Sequence, residues 1–550
     1  MFIFSKIIFF VFNFAKKIFK KRIINRQILS QFPFFNGTFY GFEKPLNNSY
    51  FLRFYRLTEI YDEKKFIFTS YLLQKFFSYE VLDISKINKS TPKTFAVKAD
   101  CLVAIGSTSK KIQKLEIINN DATENINVYP GRFYYQKLFK GKYTIKSQKD
   151  FLVSKPLYIK GHLKNKKIII SLFIDGLPKY EFLKEYLNNN FNSILKNSIN
   201  FKNHYSLSEW TLPSFATIMT GLPAIRHGYV MPRKLYLGEK KFKFLSEYFR
   251  ENDFLTTHIT SNWRCGLGNN YFEGFDKTLF SRNFTASDIC QEMINHLEVF
   301  GENNNFLFMN ISDIHHMIYP VNLIKTNHLN YNYLSYMRNN HITFAKKSVN
   351  ELYSQEKKND VLSSFKSIEL NLLNIINYIK NKYHNDEYLI ALMTDHGHSF
   401  LDEKEENYLL KSSRIETPFY IISNFIKNQE ISSLTDNSDI MKILLNLSGI
   451  EKDLNDQIIP GCLPQELGGK SKKYVRAECI YPNQKYLTRI IGKDLDYRFS
   501  TNNLTQSNGI INHQTFSDEL SLKDSNLNYN KEYFSKIILN DLEKYNNSLI

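Results

Sequence analysis

Residues 166–176 read KKIIISLFIDG, an unbroken apolar run that stops at an acid and a glycine. A strand buried on both faces of a parallel sheet has this texture, because a half-exposed strand would alternate polar and apolar residues. FLFMN (306–310), YLIALMT (388–394) and FYII (419–422) are similar runs. Between FLFMN and YLIALMT, Phe365, Ile368, Leu372, Ile375, Ile376 and Ile379 recur at helical spacing and mark one apolar face. Strand, helix, strand in this order predicts an α/β domain with a largely parallel central sheet flanked by helices. Chemistry in such sheets gathers at the carboxyl ends of the strands. Three runs deliver polar groups there: Asp175, Asp313 and Asp395–His396.

The stretch EWTLPSFATIMTGLPAIRHGYV (209–230) carries a second signal. Pro213 suits the first turn of a helix and Gly221 its end. Thr211 then falls at or just before the helix N-terminus, where backbone N–H groups and the helix dipole favour an anion. A capping threonine is the competing reading. TDHG (394–397) sets two good metal ligands side by side on a glycine turn, and a plain surface turn is its competing reading.

The chain has 550 residues, 43% hydrophobic and 23% charged, which bounds it to a globular protein of two or three domains. That balance excludes a wholly disordered chain, a collagen and a polytopic membrane protein. Its five cysteines are scattered and form no CxxC pair, which argues against a disulfide framework or a four-cysteine zinc module. The formal charge is +18, from 72 Lys and Arg against 54 Asp and Glu. Such a field favours anionic partners. Without a long basic arm or a nucleic-acid-binding motif, no nucleic-acid partner is expected.

Residues 1–26 form a basic, aromatic segment opening MFIFSKIIFFVFNFAKKIFKKR. Its apolar stretch falls short of the ~20 residues of a spanning helix. An interfacial helix on an anionic membrane surface is one expectation, with Lys16, Lys17, Lys20, Lys21 and Arg22 at the headgroups; a helix packed on the protein's own body is the other. A peripheral membrane or cytoplasmic location is preferred, with the cell envelope as an alternative. Residues 27–160 read as a β-rich accessory domain with short strands at Thr94–Val97, Cys101–Ile105, Lys114–Ile118, Tyr143–Ile145 and Phe151–Val153. Residues 161–500 are the expected catalytic domain. Residues 501–550 are read as a polar tail, with a short amphipathic helix near Tyr533–Leu542.

Taken in order, FIDG (173–176), TLPSFATIMTG (211–221), RHGYV (226–230), SDIHHMIYP (312–320) and TDHG (394–397) resemble the alkaline phosphatase superfamily, in its sulfatase-like branch. LSEYFRENDFLTTHITSNWRCGLGNNYFEGFD (245–276) is similar to the family's Gly-Phe-Asp segment. YVRAECIYPNQKYLTRIIGKDLDYRF (474–499) is similar to its C-terminal subdomain. The resemblance covers about residues 165–500.

The resemblance assigns Asp175, Thr211, Asp395 and His396 to one divalent-metal site, with Zn²⁺, Mn²⁺ or Mg²⁺ suited to these ligands. One ion is preferred and two are the alternative, since Asp313 with His315 or His316 could hold a second. Otherwise His315 or His316 contacts the anion or protonates the leaving oxygen. His398 and Arg414 are weaker candidates, with a solvated loop and a surface ion pair as their default roles, and His227 shapes the Gly228 loop. The implied activity is metal-dependent hydrolysis, or transfer, of a phosphate-ester group through a covalent phospho-threonine at Thr211. A phosphorylated small molecule, lipid or glycan is the expected substrate, in the setting of cell-surface polysaccharide or lipid metabolism. Main-class sulfatases place Cys or Ser at the Thr211 position and Arg at that of Phe215, and the sulfate-contacting Lys and His of the family are not matched in SNWRCG (261–266). These departures favour the phosphodiesterase and phosphoethanolamine- or phosphoglycerol-transferase types. Sulfuric ester hydrolysis is one alternative, and a non-catalytic glycan- or membrane-binding protein that kept the fold is another.

Overall fold

The computed structural model describes residues 51–56 and 78–549, apart from stretches of which the longest are 160–165, 232–241, 316–353, 399–408, 451–458 and 524–528. The N-terminal segment 1–26 lies outside the described residues. The chain divides into two compact units, Met1–Gly161 with Asp276–Arg282, and His162–Phe275 with Asn283–Ile550.

The first unit is built from strands. Lys93–Val97, Gly141–Ser147, Gln113–Asn119 and Ala122–Val128 form an antiparallel four-stranded sheet in that order. Cys101–Ser107, Phe151–Ser154 and Ser78–Ile87 pair antiparallel in a second sheet, which Lys277–Phe280 extends. Leu115, Ile117, Ile145, Val103 and Ile105 are buried together in one core. Alternation along Gln113–Asn119 sends Leu115 and Ile117 inward and Lys114 and Glu116 outward, as one-sided strands require.

In the second unit, β1 (Lys167–Ile174), β2 (Ile199–Phe201), β3 (Leu255–Thr260), β4 (Asn305–Ile311), β5 (Glu387–Met393), β6 (Tyr420–Ser423) and β7 (Glu430–Ile431) make a sheet in the order β3-β4-β1-β5-β6-β2-β7. The pairs β3/β4, β4/β1 and β1/β5 are parallel, and β6 runs antiparallel to both of its neighbours. Ile168–Ile174 are at most 1% exposed, which is why this segment carries no alternation. Around the sheet lie α1 (Thr211–Thr220), α2 (Ala286–Phe300), α3 (Gln355–Lys382) and α4 (Ile440–Leu447). Ser354 caps α3 by accepting from the Lys357 amide, and the face from Phe365 to Ile379 is buried.

Residues 501–550 are not a polar tail. The strand Leu495–Leu504 pairs with Phe516–Leu522, completing an antiparallel sheet with Tyr474–Cys479 and Lys485–Gly492. A 19-residue helix, α5 (Lys531–Leu549), buries Phe534, Ile538, Leu542 and Tyr545 in the same core as Tyr497 and Phe499 of that sheet. Asn-rich turns hid the strand Phe516–Leu522, whose apolar positions are only half-buried and give a weak hydrophobic signal, whereas the expected amphipathic helix near Tyr533–Leu542 lies within α5. The five cysteines are unpaired. No described helix is long and apolar enough to cross a membrane.

His258 on β3 is fully buried, and neither ring nitrogen has a hydrogen-bond partner among the described residues. Its ring stacks on Phe275, at 5.0 Å between centroids, and on Phe215 at 6.2 Å. Burial lowers its pKa from 6.5 to about 3. Unfolding therefore takes up a proton in this interval, so the stability tied to His258 is whole above about pH 6.5 and is lost as pH falls toward about 3. His258→Phe is expected to stabilise the protein by about 1–3 kcal/mol, since it removes two unsatisfied polar atoms from an aromatic cluster. Thermal melts at neutral and mildly acidic pH check this; a lower melting temperature in the variant at both would contradict it.

Candidate active site

Parallel pairing sets the site. Ile174 of β1 pairs with Ile311 of β4, and Phe173 with Met393 of β5, so the residues that follow each strand emerge at one end of the sheet. Asp175 follows β1, Ser312 and Asp313 follow β4, and Thr394–His396 follow β5. Asn262 follows β3 at the same end. Gly176 has φ 76°, and its amide donates to Asp395 Oδ1 at 3.0 Å, tying the turn after β1 to the turn after β5. At Gly397 a Cβ would lie 2.1 Å from the Ser413 carbonyl oxygen, so the turn bearing Asp395 and His396 has room only for glycine.

Thr211 is the first residue of α1, and Gly221 ends that helix in the left-handed conformation. Trp210 occupies the N-cap position without a side-chain cap bond, so Thr211 does not cap the helix. Its hydroxyl faces Asp175 instead, with Oγ1 3.4 Å from Oδ2 and 3.5 Å from Oδ1. His396 Nδ1 donates to the Gly397 carbonyl at 2.9 Å, which turns the Nε2 lone pair toward the carboxylates. Nε2 lies 3.3 Å from Asp395 Oδ2 and 3.9 Å from Asp175 Oδ1. His315 Nε2 is also 3.9 Å from Asp175 Oδ1. Asp175, His315 and His396 each offer a ligand atom, and these atoms all lie within 4.8 Å of one another.

The electrostatics call for a cation. Asp175 and Asp395 are both fully buried. Burial first, and then the neighbouring Asp395 carboxylate, push the Asp175 pKa well above the usual carboxylate range. The Asn262 side-chain amide donates to Asp175 Oδ2. Asp395 Oδ2 and His396 Nε2 have no hydrogen-bond partner among the described residues. Burial holds His396 neutral, with its pKa down at about 4, the protonation state a metal ligand needs. Two buried carboxylates, a neutral imidazole and a hydroxyl, with an acceptor oxygen and a ring nitrogen left over, are a donor set that fits a divalent cation.

Other candidates sit differently. Both carboxylate oxygens of Asp313 accept from the Ala286 amide, at 3.2 and 3.0 Å, at the first residue of α2. A helix N-terminus thus holds Asp313. His316 lies outside the described residues. His398 is not on a solvated loop: it is 4% exposed, and its imidazole lies against Gly176. The Arg414 guanidinium donates to the Glu209 carbonyl beside α1. His227 accepts from the Tyr229 amide at 3.0 Å and meets Thr217 Oγ1 at 3.2 Å, which shapes the turn at Gly228.

Sequence reasoning missed Asn262, Asn437 and Glu209. Asn437 donates to the Asp395 carbonyl at 3.4 Å. Glu209 is buried two residues before Thr211, and burial raises its pKa to about 7. Asn262 follows a strand that reads LTTHIT, so no apolar run pointed to it as one pointed to Asp175. Nothing in its one-dimensional context marks Asn437.

Residues 171–450 match the model of the family described as Sulfatase. Among solved structures, the chain is similar to a protein in the alkaline phosphatase superfamily from Vibrio parahaemolyticus, at 16% identity over 71% of this chain and 89% of that one, with a TM-score of 0.45. It is also similar to a protein solved with its substrate D-glucosamine-2-N,6-O-disulfate, at 14% identity over 70% and 99%, with a TM-score of 0.47. A 2-O GAG sulfatase matches at 14% identity over 70% and 93%, with a TM-score of 0.45. No curated protein matches the chain in sequence. The family match spans half of the chain and takes in Asp175, α1 and the Asp395–His396 turn, and the chain belongs to the Sulfatase family.

Proposed function

We propose that the protein hydrolyses a phosphate ester at one divalent-metal centre, with Thr211 as nucleophile. The observation that carries this reading is the Thr211 hydroxyl, held 3.4 Å from Asp175 at the start of α1 and beside ligand atoms that lack partners. Asp175, Asp395 and His396 would hold the cation, which when bound would lower the pKa of the hydroxyl and offset charge on the transferring oxygens.

The chain's own residues supply the rest. Asp175 orients the Thr211 Oγ1–H, and the first-turn amides of α1 face the incoming anion. Thr211 Oγ1 passes its proton to the Asp175 carboxylate 3.4 Å away and attacks phosphorus as the bond to the leaving oxygen breaks, giving a phospho-threonine, and water then cleaves that ester and restores the hydroxyl. The His315 side chain is 18% exposed, against 1% for His396, so it is the imidazole that can reach substrate and protonate the leaving oxygen.

A second reading, hydrolysis of a sulfate ester, is favoured by the family match. Against it stands the chemistry of residue 211. Oxidising a threonine side chain yields a ketone, so the aldehyde hydrate used by main-class sulfatases is out of reach. A panel of aryl phosphodiesters, phosphomonoesters and sulfate esters with Mn²⁺, Zn²⁺ and Mg²⁺ separates the two. Phosphodiesters are expected to turn over fastest. A clear preference for sulfate esters would establish the second reading, and no metal-dependent turnover on any ester would leave the non-catalytic alternative.

A further inference from the structure

The antiparallel sheet of residues 474–522, α5 and the short helix Ala224–His227 bound a cavity of about 550 Å³. No residue of the Thr211 centre lines it. Its wall combines apolar surface at Ile225 and Val475 with an unusual balance of charge. Two of its cations are already engaged. Arg476 meets Asp541 at 2.7 Å and Glu478 at 2.8 Å, while Lys472 bridges Asp436 and Asp439. The other two, Arg226 and Lys473, are exposed, and no carboxylate among the described residues lies within ion-pair reach of either.

Glu478 is the second observation. It is 1% exposed, and its Oε1 accepts from the Tyr486 hydroxyl at 2.8 Å and from Arg476. Its Oε2 is buried with no hydrogen-bond partner, and so is Arg476 Nε. A buried carboxylate oxygen needs a donor, and the residues around it supply none. Two cations on the wall without a carboxylate partner among the described residues ask for an acid group, and a starved acceptor asks for a hydroxyl. Apolar wall between them suits the face of a sugar ring.

We propose that this cavity binds a sugar bearing an acid group, separately from the Thr211 centre, with Arg226 and Lys473 on the acid and Glu478 Oε2 accepting from a ring hydroxyl. Sugar phosphates, sugar sulfates and uronates share this chemistry.

The test is isothermal titration of the full chain with glucose 6-phosphate, glucosamine 6-sulfate, glucuronate, glucose and inorganic phosphate. It is run on EDTA-stripped wild-type protein and on Asp395→Asn, so that the Thr211 centre does not contribute. One site per chain is expected for the acid sugars, with glucose weaker. Arg226→Glu with Lys473→Glu should weaken acid-sugar binding by more than about tenfold, as loss of two charge-assisted contacts implies. Both side chains are on the surface, so circular dichroism should not change; Arg226→Gln with Lys473→Gln is the milder pair. Glu478→Gln should weaken glucose 6-phosphate but not inorganic phosphate. No binding in the stripped proteins, or equal affinity after charge reversal, overturns the proposal. Equal loss of sugar and inorganic phosphate in Glu478→Gln overturns the hydroxyl assignment.

Discussion

Thr211→Ala is expected to cut kcat on the preferred ester by on the order of 10⁴-fold or more, the scale seen when a covalent nucleophile is removed. Stability should change by only about 1 kcal/mol. The reason is geometric. Thr211 does not cap α1, and its hydroxyl has only long contacts to Asp175, at 3.4 and 3.5 Å. Activity and fold are therefore separable at this position. Thr211→Ser keeps a hydroxyl and should retain measurable turnover. Single-turnover kinetics with circular dichroism check both variants. Full turnover by a folded Thr211→Ala protein would remove Thr211 from the nucleophile role.

The second large effect is on stability and needs no substrate. Asp175 and Asp395 are both fully buried, and the Asp395 carboxylate adds to the cost that burial puts on ionising Asp175. A cation that binds only the folded chain stabilises it by about 2.7 kcal/mol at a hundredfold excess over Kd. Adding Mn²⁺ or Zn²⁺ to EDTA-stripped protein should therefore raise the melting temperature by a few degrees. Asp395→Asn should abolish that rise along with activity, because it removes one charge and the unpartnered Oδ2. It should also raise the melting temperature of the stripped protein, since one of the two repelling carboxylates is gone. Calorimetry with and without EDTA decides. An equal metal-induced shift in wild type and Asp395→Asn would mean that the ion binds elsewhere.

The parts of the fold that were legible in sequence are those where burial leaves a local imprint. Strands β1, β4 and β5 are buried on both faces and read as apolar runs. The α3 face read at helical spacing. Pro213 and Gly221 marked the ends of α1 because proline and glycine have few other conformational uses there. In residues 501–550 the helix near Tyr533–Leu542 was legible as part of α5, but the strand was not: Phe516–Leu522 is only half-buried, and Asn-rich turns surround it. His398 was given a solvated loop as its default and Arg414 a surface ion pair, whereas His398 is buried against Gly176 and Arg414 donates to the Glu209 carbonyl.

From the order of its amino acids alone, this chain committed itself to a parallel α/β sheet, to a threonine at a helix start and to acids and a histidine at strand ends. Each of these follows from short-range chemistry: side-chain periodicity, helix termini and turn residues. Only the packed molecule decided which groups share a centre. It drew Asp175, Thr211, His315, Asp395 and His396 together across more than two hundred residues, gave Asp313 to the α2 amide and supplied Asn262 as a partner for Asp175. Strand register and burial set those distances, and both depend on pairings between segments far apart in the chain.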